Sequence, residues 1–198
     1  MFDRIELGGE FFEGLLAIDM AIVEEAANEA CQFCGGRLHR GDYPRKPRGG
    51  LIGKAAENFD RRFSLCCGQE GCRKRATPPS VRFLGRRVYV GAVVIVASVV
   101  AVMKGAANAA SRATGIAART TRRWLRWWRG PFTATSVFVQ ISSRMVPAVS
   151  RMLLPASMVE RLLGSAEERV RRLLGWLLPI TTVTSASRFV RAIFSSEH

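Results

Sequence analysis

The sequence predicts a mainly α fold with a small β zinc ribbon near the N-terminal end. All five cysteines of the 198-residue chain lie between residues 31 and 72, in glycine-flanked clusters typical of a metal-binding ribbon. From Val88 onward, helical patterns separated by glycine dominate the chain. The predicted order is an acidic N-terminal helix (1–30), a zinc-ribbon module (31–84), a helix-turn-helix module (85–130) and a C-terminal helical packing or dimerisation region (131–198).

The first thirty residues combine strong acidity with a helical pattern. They hold eight acidic residues and one arginine, whereas the whole chain has a net charge of +14. Apolar residues at helical spacing predict a helix over residues 10–30. We expect a solvated amphipathic helix; the alternative is an arm that folds over the basic face of the chain and competes with its ligand. The acidic start also predicts that no secretory leader is present.

Two cysteine clusters have the spacing of a pair of metal-binding knuckles. In Cys31-Gln-Phe-Cys34-Gly-Gly, the glycines permit the tight turn that directs backbone N–H groups at the sulfur atoms. Structural zinc is typically bound by four sulfur or nitrogen ligands in a tetrahedron. Because four cysteines fill all four positions and leave none for water, the sequence predicts a structural Zn²⁺ site. Clustered cysteines without a leader also indicate a reducing cytoplasm. The predicted ligands are Cys31, Cys34, Cys67 and Cys72.

The second knuckle offers three cysteines for two ligand positions. We select Cys67 together with Cys72, because the apolar residues Phe63 and Leu65 are in phase with Cys67 on a short strand over residues 62–67. Cys66 is then the spare thiol. His39 is a less favoured substitute ligand. Residues 35–60, rich in glycine, proline and arginine, are predicted to form a loop.

An apolar run over residues 88–103 has two interpretations. Its sixteen uncharged residues are flanked by Arg86, Arg87 and Lys104. A membrane span needs about 20 apolar residues, so we expect a buried core helix. The alternative is a small membrane-associated protein that spans the bilayer at 88–103 and carries a zinc-ribbon head.

Residues 88–129 predict three helices, the last two joined by a tight turn. The run at 88–103 is followed by a short helix over 106–113 and by a turn at 114–116, where Gly115 supplies the positive φ. A third helix is predicted over 118–129. One face of that helix has the spacing of residues that pack on the first helix: Thr121, Trp124, Leu125 and Trp128.

The third helix belongs to a long basic segment that contains no acidic residue. Residues 73–130 hold thirteen lysines and arginines and no aspartate or glutamate, which predicts an anionic partner and favours double-stranded DNA. In a helix-turn-helix, early residues of the second helix reach base edges and flanking cations bind phosphates. The candidates for base edges are Arg119, Thr120 and Arg123, and those for phosphates are Arg122, Arg126 and Arg129.

Together these motifs resemble the zinc-ribbon and helix-turn-helix region of bacterial transposases and of small transposon-associated DNA-binding proteins. The resemblance covers residues 31–130. It rests on the CxxC motif of Cys31 and Cys34, the basic loop, the second knuckle with the run Cys72-Arg-Lys-Arg-Ala-Thr-Pro-Pro-Ser-Val-Arg-Phe, and Thr121-Xaa-Arg-Trp124. It implies binding to transposon ends or a related DNA site, a transposase or other mobile-element protein as partner, and a cytoplasmic, nucleoid-associated location in a bacterium.

The chain departs from a complete transposase where catalysis would require carboxylates. A nuclease of that type holds two metal ions with three separated carboxylates, but the acidic residues after Cys72 are only Glu160, Glu167, Glu168 and Glu197. The first three are expected in surface ion pairs of one amphipathic helix. We therefore predict a non-enzymatic protein. RNA or ribosome binding is the remaining alternative, because zinc ribbons and arginine-rich helices serve there too.

The C-terminal region is predicted to contain a long amphipathic helix over residues 157–177. Its apolar residues fall on one broad face. Three uses of that face stay open: packing in the core, the seam of a homodimer, or contact with a membrane surface. A homodimer would fit DNA recognition, because paired motifs meet paired half-sites.

Overall fold

The computed structural model describes residues 7–46, 59–84 and 89–182. Helices, including three short 3₁₀ helices, account for about 53% of these residues, and the strands form small antiparallel sheets. The prediction of a mainly α protein with a small β region is confirmed. The helices are α1 (Gly9–Ala27), α2 (Gly91–Met103), α3 (Ala107–Thr114), α4 (Ala118–Arg129), α5 (Ser136–Ser142), α6 (Ala156–Val159) and α7 (Ala166–Leu177).

Short strands follow α1 and precede α2. They are β1 (Leu38–Arg40), β2 (Tyr43–Pro44), β3 (Arg61–Arg62), β4 (Leu65–Cys67), β5 (Arg75–Ala76), β6 (Phe83–Leu84) and β7 (Tyr89–Val90). A three-stranded sheet has the order β1-β4-β5, with Leu38 opposite Cys67, while β2 pairs with β3 and β6 with β7. The loop predicted over 35–60 thus contains two strands, and residues 47–58 lie outside the described ranges. The strand predicted over 62–67 is divided between β3 and β4.

The apolar run forms the central helix of the protein. Residues 91–101 of α2 are all buried, and α2 packs against α3, α4, α6 and α7. A Cβ atom on Gly91 would come within 2.6 Å of Leu174 Cδ2, so a larger residue here would have to displace that buried side chain. The helix predicted from residue 88 begins at Gly91 because Tyr89 and Val90 pair with β6. None of the helices in the described ranges has the length and hydrophobicity that crossing a bilayer requires.

Helix α1 is amphipathic, as predicted, with Glu10, Glu13, Glu24 and Glu25 exposed, but its apolar face is docked on the rest of the protein rather than solvated. Its N-terminal half packs into the main core, while Val23 and Ala26 join a smaller core beneath the three-stranded sheet. Asp19, on the same face, is buried because Arg82 forms an ion pair with it. The buried residues of α1 are Phe11, Phe12, Leu15, Asp19, Ile22, Val23 and Ala26.

The single helix predicted over residues 157–177 is also wrong. The chain forms the short helix α6, turns through Gly164 with φ of 99°, and begins α7 after Ser165. The Ser165 hydroxyl accepts a bond from the Glu168 N–H, and the Glu168 carboxylate accepts one from the Ser165 N–H. This capping box starts a new helix where periodicity alone predicts continuation.

The apolar face of α7 lies in the core, which is the first of the three uses left open for it. Val170, Leu173, Leu174 and Leu177 are all buried within the chain. The ion pairs expected on this helix are replaced by other contacts. The Glu167 carboxylate accepts a bond from the Gly8 N–H, and Arg169 donates to the Gly164 carbonyl.

The capping box should contribute measurably to stability. We expect Ser165→Ala to lower the free energy of unfolding by about 1 kcal/mol, because the first turn of α7 loses its side-chain acceptor. Urea unfolding measures the change. Ser136→Ala, at an exposed position of α5, is the control and should change stability by less than about 0.5 kcal/mol. Equal effects of the two substitutions would contradict a capping role for Ser165.

Candidate metal centre and basic helix

The small sheet brings two distant cysteine pairs to one point. Cys31 and Cys34 lie in the turn between α1 and β1, while Cys67 ends β4 and Cys72 lies in the turn before β5. Because β4 pairs with both β1 and β5, the two turns meet at one end of the sheet. An apolar cluster between the sheet and α1 supports this arrangement; the sheet contributes Leu38, Phe63 and Leu65 to it.

The four sulfur atoms are spaced for a tetrahedral metal ion. All four lie within 4.8 Å of one another, with Cys31 Sγ 3.9 Å from Cys72 Sγ and Cys34 Sγ 3.4 Å from Cys67 Sγ. A disulfide needs about 2.05 Å, and the cysteines are free thiols. Zinc–sulfur bonds of about 2.3 Å in a tetrahedron place sulfur atoms about 3.8 Å apart. The cluster can therefore hold a metal ion.

Backbone hydrogen bonds prepare the knuckles for thiolates. The Gln69 N–H donates to Cys67 Sγ at 3.4 Å. The backbone N–H groups two positions after the other cysteines also favour the thiolate: Phe33 for Cys31, Gly36 for Cys34 and Lys74 for Cys72. The Phe33 N–H is the main reason that the pKa of the Cys31 thiol falls to about 7. At Cys34, Cys67 and Cys72 the pKa is nevertheless raised, because burial and hydrogen bonds among the thiols outweigh the backbone N–H groups. A bound cation would stabilise the thiolate form of all four cysteines.

The spare cysteine and the histidine stay outside the cluster. Cys66 is half-buried on the other side of β4, and its Sγ lies 3.5 Å from the Arg73 carbonyl oxygen. His39 is paired with Cys66 across the sheet. The cluster therefore consists of the four predicted cysteines. Cys67 and Cys72, the pair selected from the phase of the strand, both belong to it.

The second feature is α4, whose bounds agree with the predicted helix. It follows α3 after a short turn in which Gly115 has φ of 70°. The predicted inner face is confirmed: Thr121, Trp124 and Trp128 are buried and Leu125 is half-buried. Trp128 packs edge-to-face on Phe132, with ring centroids 4.9 Å apart. These aromatic contacts fix the rotation of α4 about its axis.

The outer face of α4 presents the predicted cations. Thr120 is half-buried, and every arginine is exposed: Arg119, Arg122, Arg123, Arg126 and Arg129. Arg122 donates to the Asn108 side chain of α3 at 3.0 Å, and Arg123 donates to the Tyr89 hydroxyl. Neither contact neutralises the charge. In the described ranges the ion pairs join Arg82 to Asp19 and Arg40 to Asp42, so none involves α4.

An open cavity of about 390 Å³ adjoins this face. The start of α3, Arg122 and Arg129 line its polar side, and Val102 and Leu153 line its apolar side. No side chain caps α3, whose first N–H groups therefore remain available to an anion.

A buried polar network that sequence reasoning missed joins α1 to the segment after β5. The Arg82 guanidinium donates to Asp19 at 2.7 Å and to the Phe59 and Arg61 carbonyls at 2.8 and 2.9 Å. Asp19 also accepts bonds from Ser80 Oγ and the Val81 N–H. The sequence does show one sign of this network, because Asp19 falls on the apolar face of α1. It does not show that Arg82 is the partner of Asp19.

Comparisons of the chain with protein-family models, with curated proteins and with solved structures found no match. The functional interpretation therefore rests on the chemistry of the metal centre and of α4.

Proposed function

We propose that this chain is a non-enzymatic, zinc-containing protein that binds double-stranded DNA through α4. In this proposal it acts as an accessory or regulatory factor of a transposon, as the resemblance of residues 31–130 implies. The observation that carries the proposal is the outer face of α4, where five exposed arginines project from a helix fixed by buried tryptophans. An acid-free basic surface of this kind attracts the phosphate backbone.

The relation between α3 and α4 supports a helix-turn-helix mode of binding. A three-residue turn separates the two helices, and both pack on α2. In this mode Arg119, Thr120 and Arg123 near the start of α4 reach base edges. Arg122, Arg126 and Arg129 bind phosphates on either side. The cavity at the start of α3 can accept one such phosphate, because Arg122 and Arg129 line it.

Zinc is the metal that fits the cysteine cluster best. Four thiolates at tetrahedral spacing suit zinc, and they leave no coordination position for a reactive water. We therefore assign the metal a structural role, in which it holds the zinc-ribbon module together.

The use of the carboxylates supports a non-enzymatic role. Glu168 accepts the Ser165 N–H bond, which is the main reason that its pKa is lowered, and Glu167 accepts the Gly8 N–H. Glu168 thus caps the start of α7, and Glu167 bonds the chain just before α1. Glu160 is exposed at the end of α6. These three do not form the metal-binding triad that two-metal phosphoryl transfer needs.

DNA binding is tested by fluorescence anisotropy of labelled duplexes from the native locus and of scrambled duplexes, over a salt series. We expect Arg119→Ala/Arg123→Ala to remove the preference for the native sequence, since each base contact is worth about 1–3 kcal/mol of discrimination. Arg126→Ala/Arg129→Ala should instead weaken binding to all duplexes and reduce the salt slope by about 2.

The control for both variants is Arg144→Ala/Arg172→Ala, which removes the same charge from two exposed positions outside α4. It should affect duplex binding much less than either α4 variant. If all three double variants weaken binding equally, net charge rather than α4 holds the DNA, and the proposal is wrong.

A further inference from the structure

Phe33 is an aromatic side chain that the fold exposes at the tip of the first knuckle. It lies between the cluster residues Cys31 and Cys34, and 60% of its surface is accessible. The turn that carries it is held in place because the Gly35 N–H donates to the Cys31 carbonyl and the Cys31 N–H donates to the Gly36 carbonyl, both at 2.8 Å. The ring therefore projects from a fixed turn, and a ligand that stacks on it would meet a preorganised surface.

The two knuckles differ at the same point of the turn. Gly35 follows Cys34 with φ of 73°, while Arg73 follows Cys72 with φ of 45°. Glycine adopts a positive φ freely, whereas other residues do so at a cost in free energy. Arg73 is the one non-glycine residue with a positive φ in the described part of the chain. An arginine at a position suited to glycine points to a role for its side chain.

One cation lies against the Phe33 ring, and two more are exposed on the segments that form the cysteine cluster. The Lys74 ammonium group lies 5.8 Å from the centroid of the Phe33 ring. Arg37 is exposed beside the second knuckle, where its carbonyl accepts the Gly68 N–H at 2.9 Å. With Arg73 these make three exposed cations, against one exposed acid in the second knuckle, Glu70.

We propose that this tip, formed by Phe33, Arg37, Arg73 and Lys74, binds single-stranded DNA. The Phe33 ring stacks on an unpaired base, and the cations bind the flanking phosphates, which is the combination that single-strand-binding surfaces use. A paired base inside a duplex has no free face, so the tip selects unpaired DNA. The inference rests on the proposed DNA-binding function and extends it: α4 binds duplex while the knuckle tip holds an adjacent unpaired strand.

The test compares binding of the full-length, metal-loaded protein to labelled oligothymidine and to a blunt-ended duplex. We expect Phe33→Ala to weaken oligothymidine binding roughly tenfold and to leave duplex binding unchanged. Phe33→Trp, which keeps an aromatic face, should retain binding to the oligothymidine. Metal content measured on each variant confirms that the knuckle is intact.

Arg73 gives a second, independent test. Arg73→Gly should weaken oligothymidine binding several-fold while it raises the urea midpoint of unfolding, because glycine removes both the charge and the strained φ. Arg73→Lys should keep most of the binding and gain no stability. Such opposite changes in binding and stability would not arise from a merely structural residue.

The two proposals can fail separately. If Phe33→Ala binds oligothymidine as tightly as the unaltered protein while α4 variants lose duplex binding, the tip inference is overturned and the proposed function stands. The reverse result is also possible. If Arg119→Ala/Arg123→Ala still binds both duplex and oligothymidine, while Phe33→Ala no longer binds oligothymidine, the tip inference is supported and the proposed role of α4 is wrong. Tighter, Phe33-dependent binding to oligouridine than to oligothymidine would overturn the assignment to DNA and indicate RNA.

Discussion

Cys67→Ser is expected to abolish metal binding and to unfold the ribbon around β1, β4 and β5. Structural zinc contributes about 10–16 kcal/mol in zinc-finger peptides, whereas a whole domain is stable by only about 5–15 kcal/mol. The apolar core beneath the ribbon is small, with Leu38, Phe63 and Leu65 packed on α1. It cannot replace a contribution of that size. Mass spectrometry of bound metals and amide hydrogen exchange in β4 measure the two effects.

The adjacent cysteine provides a matched control. Cys66→Ser makes the same chemical change one residue earlier, on the side of β4 away from the cluster. It should leave one zinc ion per chain and protected amides in β1 and β4. The metal assignment would be contradicted if Cys67→Ser kept its zinc, or if the unaltered protein were folded in the ribbon without any metal.

Asp19→Ala is expected to destabilise the protein by about 3–5 kcal/mol, because it removes the carboxylate that is paired with the buried Arg82 guanidinium. Asp19 and Arg82 have side-chain exposures of 1% and 0%. The guanidinium cannot turn toward water, since it lies among the rings of Phe59, Phe63 and Phe83 and bonds two backbone carbonyls. Urea unfolding followed by circular dichroism measures the loss.

Arg40→Ala is the control for the buried pair. It removes an arginine from the ion pair with Asp42, in which the Arg40 side chain is 42% exposed. Exposed pairs contribute about 0–1 kcal/mol because water screens them, so this variant should lose far less stability. Comparable losses for Asp19→Ala and Arg40→Ala would show that the Asp19–Arg82 pair does not anchor α1.

Local patterns were sufficient to predict α4 and the four-cysteine cluster. The spacing of Thr121, Trp124 and Trp128, together with glycine on both sides, gave helix bounds that agree with the structure. Phe63 and Leu65 placed Cys67 on the inner side of β4, which separated it from Cys66. The helix bounds and the side of the strand on which Cys67 lies both follow from repeats of apolar residues within a few positions of each other.

Two features escaped prediction because they depend on competing or distant interactions. The apolar period continues through residues 158–166, so only the reciprocal bonds of Ser165 and Glu168 reveal the break between α6 and α7. The position of α1 depends on a partner for Asp19 that lies 63 residues away. No local pattern specifies such a pairing, and the acidity of the segment favoured a solvated helix instead.

Nuclear magnetic resonance of the ¹⁵N-labelled protein, titrated with duplex DNA from its own locus, tests most directly whether α4 binds DNA. We expect the largest amide shifts on α4, residues 118–129, and on the start of α3 near Asn108. Residues of α7 such as Arg172 should shift little. Shifts confined to surfaces away from α4, or none at DNA concentrations that saturate anisotropy, would contradict the claim that α4 binds DNA.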